Sequence, residues 1–167
     1  SGFQRNRILV IEPTTTAWMY YNPTGENADM KAVKQKFEPF LDNLEKWQVE
    51  YDLGCENIIR DHGRVGKNRF IINQASYEKV ILPPGLENVD KATFELLKSF
   101  AEAGGEIWQV AATPCFVEGV ETSFASLQSQ KNWKIFDDAG REVFAGLSVN
   151  EKISFVNPDS IRGKVFH

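Results

Sequence analysis

Short runs of aliphatic residues alternate along this chain with longer stretches in which apolar residues recur every three or four positions. The first run is ILVI at residues 8–11, which has no polar alternation and is soon followed by Pro13, a residue that cannot donate a hydrogen bond within a sheet. This pattern is typical of a strand that is covered on both faces of a parallel sheet. Residues 28–47 then carry an apolar face with helical spacing and predict the first crossover helix.

A strand, a helix and another strand follow in the middle of the chain. Residues 79–82 (KVIL) and 106–110 (EIWQV) predict buried strands. Between them, Asp90 is placed to cap a helix that extends through Ala103, and the pair Gly104-Gly105 provides a left-handed stop. This order predicts a right-handed βαβ unit.

Five β-leaning segments separated by helices predict an α/β fold with a three-layer, doubly wound, mainly parallel sheet. The predicted strand order is flavodoxin-like or glutamine-amidotransferase-like, with the first strand beside the third. The other predicted elements are strands over residues 49–53 and 133–136, helical turns over 55–61, an antiparallel excursion over 69–73 with Tyr77, a loop over 111–119, and short helices over 122–130 and 141–149.

The chain is predicted to consist of one domain and a tail. Residues 1–150 are expected to form the α/β domain. Residues 152–156 and 164–167 alternate polar and apolar side chains, which favours half-exposed antiparallel strands. Residues 151–167 are therefore predicted to be the start of a following β-rich domain, and both ends of the chain read as cuts within a longer protein.

Composition narrows the class of partner. The chain has 167 residues, of which 42% are apolar and 25% charged, as expected of one ordinary globular domain. Its net charge of −4 disfavours nucleic acid and anionic membranes as partners, and no stretch approaches the ~20 apolar residues of a membrane span. The two cysteines, Cys55 and Cys115, are too few for a disulfide framework or a metal site, and we expect free thiols.

The segment that follows the first strand is the first place to look for function, because ligands bind at the carboxyl ends of the strands in open α/β sheets. It is predicted to be a surface loop that is rich in threonine and aromatic residues. Its rings either cover the end of the sheet or contact a partner. The candidate contact residues are Thr14, Thr15, Thr16, Trp18, Tyr20 and Tyr21.

Three kinds of reaction chemistry find little support in the sequence. A phosphate or flavin loop is disfavoured because no glycine opens the backbone of residues 13–17. A thiol nucleophile at Cys115 lacks both the G-x-C-x-G elbow and a histidine at a suitable place. Paired carboxylates remain without a defined pair among Glu12, Glu118 and Glu121. We therefore expect no catalytic residue, no cofactor and no metal.

Three segments together carry a resemblance to a known family. They are ILVIEPTTTAWMYY at residues 8–21, YEKVILPP at residues 77–84 and TFELLKSFAEAGG at residues 93–105. These segments resemble the non-catalytic amidotransferase-like domain, similar to the β-galactosidase trimerisation domain, of large bacterial glycoside hydrolases, including α-L-rhamnosidase-type and related enzymes of polysaccharide degradation. The resemblance covers about residues 7–136.

The resemblance implies a structural role. Its catalytic partner would be an upstream (β/α)8 barrel of the same parent chain, and residues 164–167 resemble the first strand of a downstream β-sandwich. A glycan and a second copy of the chain are the further partners that it implies, with a periplasmic or secreted parent enzyme of carbohydrate metabolism. The residues alone leave two alternatives open: a free-standing flavodoxin-like protein that binds a small molecule or acts as an enzyme, and a self-associating scaffold domain.

Overall fold

A computed structural model of the protein describes residues 7–155, with side chains described through Ser148. The strands are β1 (Ile8–Ile11), β2 (Asp52–Gly54), β3 (Gly63–Gly66), β4 (Arg69–Ile72), β5 (Ala75–Tyr77), β6 (Lys79–Leu82), β7 (Asn88–Val89), β8 (Glu106–Val110), β9 (Phe116–Val117), β10 (Val120–Glu121) and β11 (Trp133–Phe136). The helices are α1 (Thr14–Met19), α2 (Ala28–Lys46), α3 (Glu56–His62), α4 (Lys91–Glu102), α5 (Ala125–Gln128) and α6 (Arg141–Phe155).

The centre of the fold is a five-stranded sheet in which every pair of neighbours is parallel. Its strand order is β11-β8-β6-β1-β2. Leu9 of β1 lies opposite Asp52 of β2 on one side and opposite Val80 of β6 on the other. The predicted α/β class is confirmed, and so is the position of β1 beside the third strand of this sheet.

Helices cover the two faces of this sheet because side chains of a strand alternate between its faces. Leu9 and Ile11 of β1 enter one core, to which α3 and α4 contribute buried side chains. Ile8 and Val10 enter the other core, to which α2 and α6 contribute. All four residues of β1 are buried, as the unbroken aliphatic run predicts.

Two small sheets lie outside the central one. The predicted antiparallel excursion is confirmed as β3-β4-β5, in which Phe70 pairs with Tyr77. The second small sheet, β10-β9-β7, was not predicted, and its strand β9 lies within residues 111–119, which were predicted to be a loop. Its strands have only two residues each, so sequence periodicity carries no signal for them.

Two further predictions of local elements are wrong. Residues 14–19 form helix α1 rather than a loop, because the helix starts directly after Pro13, whose carbonyl accepts a hydrogen bond from the N–H of Ala17 at 3.1 Å. Residues 152–155, predicted as strand, belong to α6. Val143 and Leu147 of α6 are buried at helical spacing, and the helix continues past them. The rest of the predicted tail, residues 156–167, lies outside the described residues.

Within residues 7–155, no helix combines the length and the apolar character that crossing a lipid bilayer requires.

Candidate functional site

Helix α1 stands at the carboxyl end of β1, where the sequence placed the candidate contact residues. It has six residues, and its last turn closes through hydrogen bonds from the N–H groups of Tyr20 and Tyr21 to the carbonyls of Ala17 and Trp18. A helix of this length is not stable by itself, so its position depends on tertiary contacts.

Thr16 joins α1 to β7 from the interior of the protein. Its hydroxyl oxygen accepts hydrogen bonds from the N–H groups of Glu87 at 3.0 Å and Asn88 at 2.9 Å, and it donates to the carbonyl of Asn88 at 3.2 Å. Its side chain is fully buried. Thr16 is thus an internal anchor of the helix, and its side chain does not reach the surface.

Thr15 forms the second anchor, to a buried carboxylate that sequence reasoning missed. Its hydroxyl donates to Oε1 of Glu56 at 2.6 Å, and Oε2 of Glu56 accepts the N–H of Asp90 at 2.7 Å. The Glu56 carboxylate therefore joins α1 to the start of α4. Glu56 comes two residues after the end of β2, which is the neighbour of β1 in the sheet. This closeness to β2 was the signal in the sequence that could have placed the Glu56 carboxylate beside α1.

The Glu56 side chain is buried although its oxygens are hydrogen-bonded. Burial raises the pKa of Glu56 above its ordinary value. The hydrogen bonds from the Thr15 hydroxyl and the N–H of Asp90 act in the opposite direction, because they stabilise the ionised form. The net direction is upward, so the protonated form of Glu56 is favoured relative to an exposed glutamate.

Tyr20 provides a third anchor, to the residue that precedes Asn88. Its phenol donates a hydrogen bond to the carboxylate of Glu87. This hydrogen bond, with a smaller contribution from burial, raises the pKa of Tyr20 to about 12. Three candidate residues, Thr15, Thr16 and Tyr20, are thus bonded to protein groups of α3 and of the segment around β7.

The exposed part of the candidate set is an aromatic pair. Trp18 is 58% exposed and Tyr21 is 47% exposed. Their ring centroids lie 5.1 Å apart, with an angle of 57° between the ring planes. Thr14 is also exposed. We call Thr14, Trp18 and Tyr21 the α1 surface; it is presented to solvent by a helix that is fixed from behind.

The thiol alternative meets an unfavourable environment. Burial raises the pKa of the Cys115 thiol, and the nearby carboxylates of Glu87 and Glu121 raise it further. A nucleophilic cysteine needs the opposite shift, because the thiolate is the reactive form. His62 is exposed at the end of α3, and His167 lies outside the described residues.

The carboxylates considered in the sequence have separate positions. Glu118 accepts the N–H of Lys91 at 3.0 Å, at the first residue of α4. Glu121 is exposed on β10, and Glu12 is half-buried after β1. The hydrogen bond from Lys91 assigns Glu118 to the start of a helix.

Cys55 and Cys115 are both free thiols, as expected. Among the described side chains, no group of three or more His, Cys, Asp or Glu is arranged to hold a metal ion. No protein-family model and no curated protein matches the chain.

Proposed function

We propose that this chain is a non-catalytic accessory domain of a multidomain glycoside hydrolase, and that its α1 surface contacts the catalytic (β/α)8 barrel of the same parent chain. The finer fold that goes with this proposal is the doubly wound, flavodoxin-like and amidotransferase-like topology. The parallel sheet with β1 beside β6 supports it, as do the resemblance of residues 8–21 and the position of α1 at the carboxyl end of β1.

The observation that carries the proposal is the exposure of Trp18 and Tyr21 on an anchored helix. Large rings that are left in solvent by a well-packed domain are typical of contact surfaces, where tryptophan and tyrosine supply much of the binding energy. Thr15, Thr16 and Tyr20 hold the helix in place, so little ordering entropy is lost when a partner binds.

The geometry of the pair favours a protein partner over a glycan on the α1 surface. With 57° between their planes, the rings do not form one flat platform on which consecutive sugar rings could stack. Two tilted amphipathic rings suit a pocketed protein surface, where each ring can be enclosed separately. A glycan stacked on Trp18 alone is the competing outcome of the test.

The polar groups around α1 also favour contact with a protein partner over the phosphate-binding and thiol-enzyme alternatives. The hydroxyls of Thr15 and Thr16 are hydrogen-bonded to Glu56, Glu87 and Asn88 rather than directed at a phosphate. A flavin phosphate loop therefore has little support here. The raised pKa of Cys115 likewise disfavours the alternative of a thiol enzyme.

The test compares Trp18→Ala with Ile135→Ala, since Ile135 is also exposed, at 51%, but lies on edge strand β11. In the chain alone, we expect Trp18→Ala to change the free energy of unfolding by less than about 0.5 kcal/mol. In the parent enzyme, Trp18→Ala should weaken the contact with the barrel by about 2 kcal/mol or more, seen as separate thermal unfolding of the two domains. Ile135→Ala should leave the joint transition intact.

The proposal has three contradicting outcomes. Turnover of aryl glycosides by the chain alone would show that the domain is catalytic. Identical unfolding of the parent enzyme with and without Trp18→Ala would show that the α1 surface does not contact the barrel. Loss of polysaccharide affinity in Trp18→Ala, with domain contact unchanged, would assign the α1 surface to glycan.

A further inference from the structure

The Thr15 hydroxyl has one proton to donate and two acceptors within reach. Its oxygen lies 2.6 Å from Oε1 of Glu56 and 3.3 Å from the carbonyl oxygen of Asn88 in β7. A threonine hydroxyl donates a single hydrogen bond but can accept another at the same time. The acceptor that Thr15 uses therefore depends on whether Oε1 of Glu56 carries a proton.

A protonated Glu56 allows a continuous series of hydrogen bonds. Its Oε2 accepts the N–H of Asp90 at 2.7 Å, so Oε2 serves as the carbonyl oxygen of the acid and the proton belongs on Oε1. Oε1 can then donate to the oxygen of Thr15, and the Thr15 proton becomes available to the carbonyl of Asn88. In this state the series joins the start of α4, α3, α1 and β7.

An ionised Glu56 breaks this series at Asn88. A carboxylate only accepts hydrogen bonds, so the Thr15 proton is used by Oε1 and the bond to Asn88 is lost. The charge then lies on a residue that is 4% exposed and has two neutral donors, Thr15 and the N–H of Asp90. A buried charge needs further hydrogen bonds to offset the loss of water.

A further donor lies near Glu56 in the first turn of α4. The Thr93 hydroxyl is fully buried and has no hydrogen-bond partner among the described residues. It follows Asp90, whose N–H already binds Oε2 of Glu56, by one turn of the helix. Buried hydroxyls nearly always have a partner, so this unused donor calls for an explanation.

The charges around Glu56 oppose its ionisation. Burial raises the pKa of Glu56, and the negative charge of Asp90 at the start of α4 raises it further. Asp90 in turn faces Glu118, in the turn between β9 and β10, and Arg60 of α3. Helix α1 and strand β7 contain no ionisable side chain. Ionisation of Glu56 therefore places its charge beside another negative charge.

We propose that the proton on Glu56 controls how firmly α1 is held. With the proton bound, the series of hydrogen bonds fixes α1 on β7. When the proton passes to solvent as the pH rises, the carboxylate turns to accept a hydrogen bond from Thr93, its bond to Thr15 weakens, and α1 loosens. Thr16 keeps α1 attached to β7 in both states, so the change is local.

The proton thus regulates the α1 surface, and this consequence rests on the proposed function, whereas the change at Glu56 does not. A partner that needs Trp18 and Tyr21 in fixed positions binds the protonated form better, because less ordering entropy is lost.

The experiment follows the chain alone from pH 4 to pH 8 by amide NMR and hydrogen exchange. We expect the amide of Asp90, which donates to Glu56, to titrate with a midpoint above 4.5. The N–H of Ala17 is bonded to the carbonyl of Pro13 in the first turn of α1. Its protection should fall by about tenfold or more across the same midpoint, after correction for the effect of pH on the intrinsic exchange rate.

Two variants separate the parts of the mechanism. Glu56→Gln imitates the protonated side chain, since its amide group can donate to Thr15 while its oxygen accepts the N–H of Asp90. Both pH-dependent changes should disappear in this variant, and Ala17 should keep its low-pH protection at every pH. Thr93→Val removes the donor that the ionised carboxylate would use, so the midpoint should rise.

Glu95→Gln is the matched control, because it makes the same change at an exposed position of α4 and should leave the titration as it is. Three results would overturn the proposal: constant protection of Ala17 while the amide of Asp90 titrates, a titration that persists in Glu56→Gln, and no titration of Asp90 from pH 4 to pH 8.

The effect on a partner is tested separately in the parent enzyme. We expect the shared thermal unfolding of the domain and its barrel to separate above the midpoint and to stay shared in Glu56→Gln. Shared unfolding at every pH, in an enzyme in which Trp18→Ala separates the domains, would overturn the regulatory effect. If Trp18→Ala has no effect there, the proposed function fails, and the results on the chain alone still decide whether Glu56 controls α1.

Discussion

The hydroxyl of Thr15 on α1 donates a 2.6 Å hydrogen bond to the carboxylate of Glu56 on α3, across 41 residues of chain. The other carboxylate oxygen of Glu56 holds the N–H of Asp90 before α4. One buried side chain thus fixes the helix that carries Trp18 relative to two other helices. The proposed contact role of the α1 surface depends on this fixation, because an isolated six-residue helix has no stable position.

Removing the Thr15 hydroxyl should destabilise the fold. Thr15→Val keeps the shape of the side chain but leaves the buried Glu56 carboxylate without its closest donor. We expect a loss of about 2 kcal/mol in the free energy of unfolding, measured by urea denaturation. Thr14→Val, at the exposed neighbouring position, is the matched control and should cost less than about 0.5 kcal/mol. Equal effects of the two variants would contradict the role of the hydrogen bond.

Glu56 should make the stability of the protein depend on pH in the direction opposite to that of a carboxylate in a typical ion pair. Its pKa is raised in the folded state from its ordinary value of 4.5, so the folded protein holds the proton where the unfolded chain has released it. The stabilising contribution is complete below pH 4.5 and is lost as the pH rises through the folded-state pKa.

The measurement is the free energy of unfolding of the native chain minus that of Glu56→Gln, followed from pH 4 to pH 8. Glutamine cannot ionise, so the difference isolates the titration of Glu56. We expect the difference to decrease with increasing pH. A flat difference over this range would show that the hydrogen bonds from Thr15 and Asp90 cancel the effect of burial, and an increasing difference would show that they outweigh it; either result contradicts the prediction.

Thr16 should be more sensitive to the loss of its oxygen than to the loss of its methyl group. Thr16→Val leaves the N–H groups of Glu87 and Asn88 without their acceptor, at about 1–3 kcal/mol for each group. Thr16→Ser keeps the oxygen and removes one methyl, at about 1 kcal/mol. We expect urea denaturation to give Thr16→Val a clearly lower free energy of unfolding than Thr16→Ser. The reverse order would show that packing, not hydrogen bonding, holds α1 on β7.

The two glycines after α4 should differ although they are adjacent. Gly104 has a φ of +97° with open space around it, so Gly104→Ala costs only backbone strain, about 1–2 kcal/mol. A Cβ at Gly105 would overlap the ring of Phe100, which packs edge-on against Phe70 in the core. We therefore expect Gly105→Ala to cost about 3 kcal/mol.

A double-mutant cycle tests the reason for this difference. If the overlap with Phe100 is the cause, Phe100→Leu should relieve part of the cost of Gly105→Ala and leave that of Gly104→Ala unchanged. The changes in stability are measured by thermal unfolding. If the effect of Phe100→Leu simply adds to that of Gly105→Ala, as it should to that of Gly104→Ala, the overlap with Phe100 is not the cause.

Several features of the fold follow from local sequence alone. The unbroken ILVI and KVIL runs indicated buried parallel strands, and all eight residues of β1 and β6 are buried. Gly104 indicated a left-handed helix stop, and its φ is +97°. Asp90 was predicted correctly as the residue before α4, yet its side chain makes no capping hydrogen bond, and the carboxylate of Glu118 accepts the N–H of Lys91 instead. A neighbouring segment thus replaced the predicted local bond.

In the candidate site too, the sequence predicted some features and only the structure showed the others. The position of residues 14–21 at the carboxyl edge of the sheet could be predicted, because the strand before them was evident. Which side chains face outward could not, since a surface loop and a short helix expose different residues, and α1 turns Thr16 inward while Trp18 and Tyr21 remain in solvent.

The sequence by itself determined the α/β class, the interior position of β1 beside β6 and the edge of the sheet at which to look for a site, because these depend on apolar periodicity and on turn residues close together in the chain. Only the tertiary structure decided that Thr15, Glu56 and Asp90 meet, and that α2 and the ends of β6, β8 and β11 line an open pocket. Those groups lie tens of residues apart along the chain. Hydrogen bonds and cavities depend on distances in space, and these are set only when the whole sheet and its helices have packed.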